Sequence, residues 1–169
     1  MIFGDPLKFA VEFTVDQTRF PGSHGRFCYK INGQLVGDYN MPVLLGDLLH
    51  PLAMIVKDNG KRQGESMCSD LGDGLFRALH SSMYGNDSPA EESHCEAIYP
   101  HQRAKFRFVP DAQPFDEWNG YLVQCESVDT LAFWHLGDEH IRYFTLETGE
   151  VDHVLSDAFH NLSRALSGD

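Results

Sequence analysis

Nine histidines and four cysteines supply the residue types that hold metals or attack carbonyl carbons, and three local groupings concentrate them: His94-Cys95-Glu96 with His101, His135 with His140, and His153 with His160. A zinc-type site needs three or four such ligands converging in a defined geometry, and none of these groupings has a ligand spacing that delivers it. His153 and His160 share one face of a helix, but that face is the polar one, so exposed surface histidines account for them more simply. His94-Cys95-Glu96 holds the types a thiol enzyme uses, yet neighbours in sequence do not acquire the geometry of a nucleophile and its base. Asp70 and Asp73 beside Gly72 and Gly74 lack the ligand spacing of a calcium loop, and helix capping explains them. The sequence therefore predicts no metal and no cofactor.

Patterned catalytic signatures are absent as well. The chain has no GxSxG, no Walker A loop, no GxGxxG, no HExxH, and no HxE with PCxxC. Gly60-Lys61-Arg62-Gln63-Gly64-Glu65-Ser66 contains glycines and a lysine, but not in the order that wraps a phosphate, and it reads as a solvated loop. No catalytic residue is assigned, and the chain is not expected to be an enzyme.

The segment with recognition chemistry is Phe115-Asp116-Glu117-Trp118-Asn119-Gly120, where carboxylates flank aromatics just before a strand. An aromatic anchor ringed by acids suits a basic protein partner, although a Trp entering a strand also has every reason to be core. Asp129, Asp138 and Glu139 fall at strand connections, where exposure is the rule, and extend the same acidic patch. Asp116, Glu117, Trp118, Asp129, Asp138 and Glu139 are thus the candidate partner-binding residues.

The elements that must position them follow from periodicity. Phe9, Val11, Phe13 and Val15 alternate with polar positions, the signature of a strand with one buried face. After Pro21-Gly22, the run Arg26 to Ile31 repeats the pattern, and Asn32-Gly33 before Gln34-Leu35-Val36 marks a hairpin, because both turn residues tolerate positive φ. Pro42 opens a helix carrying Leu44, Leu45, Leu48, Leu49, Leu52, Ile55 and Val56, with Pro51 expected to kink or split it. A second helix is predicted from about Ser69 to Met83. The polar, irregular stretch Asn86 to Ala104 is the best candidate for a mobile loop.

From Lys105 the period returns to two, with strands predicted at Lys105 to Val109, Gly120 to Cys125, Thr130 to Leu136 and His140 to Leu146. Val151, Val154, Leu155, Ala158, Phe159 and Leu162 then form the apolar stripe of a closing helix whose other face carries Asp152, His153, Asp157, His160 and Arg164. Strands, helices, strands, helix is an α+β order: a mostly antiparallel sheet, built from an N-terminal meander and C-terminal strands, packed with about three helices. The length of 169 residues fits a single globular domain over 1–169.

Charge separates the two ends of the chain. Residues 108–169 hold twelve acidic side chains against Arg142 and Arg164, a net charge of −10, whereas the first 107 residues carry −2. Such a field speeds encounter with basic partners and repels nucleic acid and anionic membrane; it also keeps a small protein soluble. The apolar runs are too short to span a bilayer, and Met1-Ile2-Phe3-Gly4-Asp5-Pro6 has neither a secretory signal pattern nor a myristoylation glycine, so a cytoplasmic location is expected. Cys28, Cys68, Cys95 and Cys125 are widely spaced, which favours reduced, partly buried thiols.

The ordered residues Met1-Ile2-Phe3-Gly4-Asp5-Pro6, Phe9-Ala10-Val11-Glu12-Phe13, Gly25-Arg26-Phe27-Cys28, Ile31-Asn32-Gly33-Gln34 and Gly37-Asp38 resemble the bacterial immunity protein 42 family of polymorphic toxin systems. The specific resemblance spans about the first 57 residues, with Trp118-Asn119-Gly120-Tyr121-Leu122-Val123 and the final strands and helix more loosely similar. It implies an antitoxin that binds and neutralises a cognate toxin domain by contact, and it carries over no catalytic residues. A compact acidic domain suits steric and electrostatic occlusion of a basic toxin surface. A small enzyme with an unrecognised site, or a ligand-binding or scaffold domain, are the rival readings, which a pocket with convergent polar groups or an apolar cavity would support.

Overall fold

The structure is a computed structural model that describes residues 1–19, 22–68, 71–84 and 104–168. The N-terminal strands β1 (Ile2–Gly4), β2 (Phe9–Arg19), β3 (Gly22–Ile31) and β4 (Gln34–Val36) form an antiparallel meander in that order, and the short β5 (Val43–Leu44) also pairs with β3. The predicted alternation is what packs it: Phe9, Val11 and Phe13 face inward with Phe27, Tyr29 and Ile31. Asn32 and Gly33 take φ of 50° and 73°, as the hairpin turn requires.

Helix α1 (Leu45–Lys57) follows β5, so Pro42 lies before a strand rather than in the first helical turn. Leu45, Leu48, Leu52 and Ile55 make its buried stripe. Pro51 lies inside the helix and neither ends nor splits it. A single turn, α2 (Glu65–Cys68), and helix α3 (Asp73–Tyr84) come next; the latter starts later than the periodicity suggested. The expected mobile loop, Asn86 to Ala104, lies outside the described residues except for Ala104.

Strands β6 (Trp118–Gln124), β7 (Val128–His135) and β8 (Arg142–Glu147) build a second antiparallel sheet. Both faces of it are covered. Leu122, Leu131, Phe133 and Leu146 join the core made by β2, β3, α1 and the closing helix α4 (Glu150–Ser167). Tyr121, Val123, Ala132 and Trp134 pack on the opposite side with Leu75, Phe76 and Leu79 of α3. The expected strand Lys105 to Val109 is instead a 3-10 turn (Ala104–Phe106) and one bridge, Arg107 to Tyr121. Phe106 serves the second core and Phe108 the first, whereas a strand would put residues two apart on one face.

Two polar expectations are overturned. Arg62, in the segment read as a solvated loop, is completely buried, and Asp152, placed on the polar face of α4, is buried against it. The cysteines differ too: Cys68 and Cys125 form a disulfide between α2 and the end of β6, while Cys28 is a free, buried thiol. The two partners are 57 residues apart and meet because Gly64 N–H bonds Gln124 O, laying the segment before α2 along β6.

Candidate functional site

Pairing of β6, β7 and β8 brings five of the six candidate residues, all but Asp129, to one end of the second sheet. Register places Trp118 opposite His135 and Phe133 opposite Arg142. The strands are closed there by the Leu136 N–H, which donates to Glu117 O at 2.6 Å, and by the turn at Gly137, whose φ of 92° suits glycine. Asp138 Oδ2 accepts from His135 N–H at 3.1 Å and from Arg142 Nη2 at 2.9 Å, so this acid holds the turn rather than pointing freely to solvent.

Trp118 is half-buried and is framed on two sides. The Arg142 guanidinium lies 5.9 Å from the centre of its indole ring, and the His135 ring meets it edge-on at 5.3 Å. His135 Nε2 is 2.9 Å from Glu117 Oε2, and its Nδ1 is 3.0 Å from Leu136 O. The aromatic is therefore partly core and partly a fixed surface feature. Asp116 and Glu139 are exposed and make no ion pair among the described residues, while Arg77 Nη2 donates to Glu139 O at 2.6 Å and ties the β7–β8 connection to α3.

Beside Trp118 is a cleft of about 310 Å³ bounded by His80, Arg107, Phe115, Asp116 and Leu136. Leu136 is 64% exposed, an apolar side chain at the rim of a charged surface. His80 Nδ1 lies 3.0 Å from Tyr121 Oη, and burial, then the nearby Arg107 and Arg77, hold its pKa below the usual imidazole value. An imidazole, an acid, a guanidinium and apolar walls line the cleft, and among the described residues no nucleophile with an attendant base faces it.

Asp129 is not part of this surface. It is fully buried in β7, where its Oδ2 accepts the Gly149 N–H at 2.9 Å just before α4 and its Oδ1 has no hydrogen-bond partner among the described residues. Burial pushes its carboxyl pKa up, opposed by the Gly149 N–H and reinforced by the Asp152 carboxylate. Asp152 belongs to a second buried network. Its Oδ1 is 2.6 Å from Arg62 Nη1, and its Oδ2 accepts from Gly60 N–H at 2.6 Å and Gln124 Nε2 at 3.1 Å. Arg62 also donates to the carbonyls of Lys105 and Ile55. These groups are satisfied by one another, which marks them as structural.

Sequence reasoning missed Arg142 as a site residue and weighed His135 only as a metal ligand beside His140. The one signal for Arg142 was that it is among the few bases in the acidic region. His94-Cys95-Glu96 and His101 lie outside the described residues, and among those described no three His, Cys, Asp or Glu side chains could hold a metal ion. His153 pairs with Asp157, at 3.3 Å on the exposed side of α4. No described helix is long and apolar enough to cross a membrane.

Comparison with known proteins fits this arrangement. A crystal structure of CdiI from Burkholderia dolosa AUO158 shares the fold, with a TM-score of 0.71 over 95% of this chain and 99% of that one, at 14% sequence identity. No curated protein matches the sequence. The family model described as Immunity protein 42 matches residues 1–161, extending the resemblance from the N-terminal strands through the second sheet into α4. The chain belongs to the immunity protein 42 family.

Proposed function

We propose that this immunity protein neutralises its cognate toxin by contact, covering a basic toxin surface with the end of the second sheet that presents Trp118, Asp116, Glu117, Asp138 and Glu139. The observation that carries the reading is the framing of Trp118 between Arg142 and His135, with Glu117 and Asp138 paired to those two residues and Asp116 and Glu139 exposed nearby. A large, half-exposed aromatic held in one position loses little freedom on binding and suits the centre of an interface, and charges around it steer a partner of opposite sign. Leu136 and the adjoining cleft add apolar contact beside it.

The net charge of −12 favours a basic partner and opposes nucleic acid and anionic lipid. In this account the protein performs no catalytic step, acts in the cytoplasm, and abolishes toxin activity by occlusion. The test is titration of toxin activity with the unaltered protein and with Trp118→Ala. Full inhibition at one equivalent of the unaltered protein, weakened by the substitution, supports the reading; equal potency of both forms removes this surface from the interface.

A further inference from the structure

The edges of the two sheets are not treated alike. An edge strand presents unpaired backbone N–H and C=O groups, and stable proteins blunt it by shortening it, bulging it or covering it. In the first sheet β1, β4 and β5 are short, at three, three and two residues, and the outer side of β2 beyond Phe13, which β1 does not reach, is interrupted by a register shift between Val15 and Gln17. In the second sheet the outer side of β6 is covered, since Gln124 N–H donates to Arg62 O, Gly64 N–H to Gln124 O, and Phe108 N–H to Gly120 O. The remaining edge is β8, six residues long, with an uninterrupted register, no proline, and no charged side chain between Arg142 and Glu147.

Hydrogen bonds at the two ends of the β6–β7 ladder determine which β8 groups are open. Cys125 N–H donates to Val128 O and Leu136 N–H to Glu117 O, so the even-numbered β7 residues bond β6 and the odd-numbered ones bond β8. Register pairs Leu131 with Phe144 and Asp129 with Leu146. Tyr143, Thr145 and Glu147 therefore aim their backbone groups away from the sheet, and none of these has a backbone partner among the described residues.

We infer that β8 is a docking edge on which an extended segment of the cognate toxin adds as a further strand, next to the surface around Trp118. This rests on the immunity reading above and places the added strand beside the surface it names. Arg142 links the two regions: it begins β8, frames Trp118 and pairs with Asp138, so a toxin seated on that surface has the open edge immediately beside it. A cleft of about 310 Å³ bordered by Val128, Phe144, Leu146 and Glu150 lies at the other end of the strand and receives side chains of an added strand. A second copy of this chain is the poorer occupant, because each copy brings a net charge of −12.

The experiment measures backbone hydrogen exchange in the free protein and in its complex with an inactivated form of its cognate toxin domain, together with the affinity of Thr145→Pro. Thr145 N–H takes no part in the ladder with β7, so proline removes an outward donor and leaves the internal pairing in place. The account expects the Tyr143, Thr145 and Glu147 amides to exchange at least about tenfold more slowly in the complex, and Thr145→Pro to weaken binding by about tenfold or more. Unprotected β8 amides in a complex that forms normally would overturn the inference and leave the immunity reading standing. Protection that appears without toxin as concentration rises would assign the edge to self-association and also overturn it. If the unaltered protein does not bind the toxin, the immunity reading falls first. Should Thr145→Pro not fold, exchange in the unaltered protein decides.

Discussion

Arg62 Nη1 and Asp152 Oδ1 lie 2.6 Å apart although ninety residues separate them, and this ion pair is sealed from solvent at the junction of α1, β6 and α4. Burial lowers the pKa of the guanidinium and the Asp152 carboxylate opposes that, so neither charge is comfortable without the other. Removing one partner strands the other. Asp152→Ala is expected to cost about 3–5 kcal/mol in urea unfolding, the typical penalty for an uncompensated buried charge. Replacing both residues by apolar side chains of similar volume should restore much of that loss. A loss below 1 kcal/mol for the single change would contradict the burial described here.

Asp129 gives a pH dependence of definite sign. Its carboxyl is held above the ordinary range by burial, so the folded protein binds that proton more tightly than the unfolded chain does. Its contribution to stability is present below the unfolded value of about 3.9 and is lost as pH rises through the folded value. Asp129→Asn, which retains an oxygen for the Gly149 N–H, should therefore be more stable than the unaltered protein at neutral pH. That advantage should shrink toward pH 4, as followed by denaturant midpoints.

Cysteine chemistry separates the disulfide from the free thiol among the described residues. Without reductant, Cys68 and Cys125 should be recovered as one linked peptide pair, and breaking the bridge should lower stability by about 2–4 kcal/mol, the usual range for a disulfide. Cys28 is buried, and burial, reinforced by Glu12, pushes its thiol pKa up to about 12. It should resist alkylation at pH 8 in the native protein and react only on unfolding. Peptide mapping after alkylation reads both outcomes.

Charge reversal should distinguish steering acids from structural ones. Asp116 and Glu139 are exposed and unpaired among the described residues, so Asp116→Lys with Glu139→Lys should slow toxin association several-fold at low salt and flatten its salt dependence, with little change in stability. Asp138→Lys should instead destabilise the β7–β8 turn, because it removes the acceptor of His135 N–H and faces Arg142. Stopped-flow binding and thermal unfolding separate the two effects.

Much of the fold was legible because burial imposes a period. Phe9, Val11 and Phe13, the Asn32-Gly33 turn, and the stripe of Val151, Val154, Leu155, Ala158 and Leu162 each announce their element locally. The failures share one cause: a property created by distant residues. Arg62 sits in Gly-Lys-Arg-Gln-Gly, a polar string, and is buried only because Asp152, Gln124 and the carbonyls of Ile55 and Lys105 converge on it. Cys68 meets Cys125 only once the segment before α2 is laid along β6. At the candidate site, the acids and Trp118 could be read as a group, but the roles of His135 and Arg142 depend on register across β6, β7 and β8. Asp129 could not be told from an exposed connection residue until Gly149 was seen to donate to it.

The central claim is that this chain silences a toxin through the surface around Trp118. The most direct measurement is the activity of the cognate toxin titrated with the unaltered protein, with Trp118→Ala, and with the Asp116→Lys and Glu139→Lys double variant, after circular dichroism has shown all three folded. The account predicts complete inhibition at one equivalent of the unaltered protein. It also predicts a loss of apparent affinity of about thirtyfold or more for Trp118→Ala, the level expected of an interface hot spot, and slower onset for the charge variant. Equal potency and equal onset for all three would contradict it.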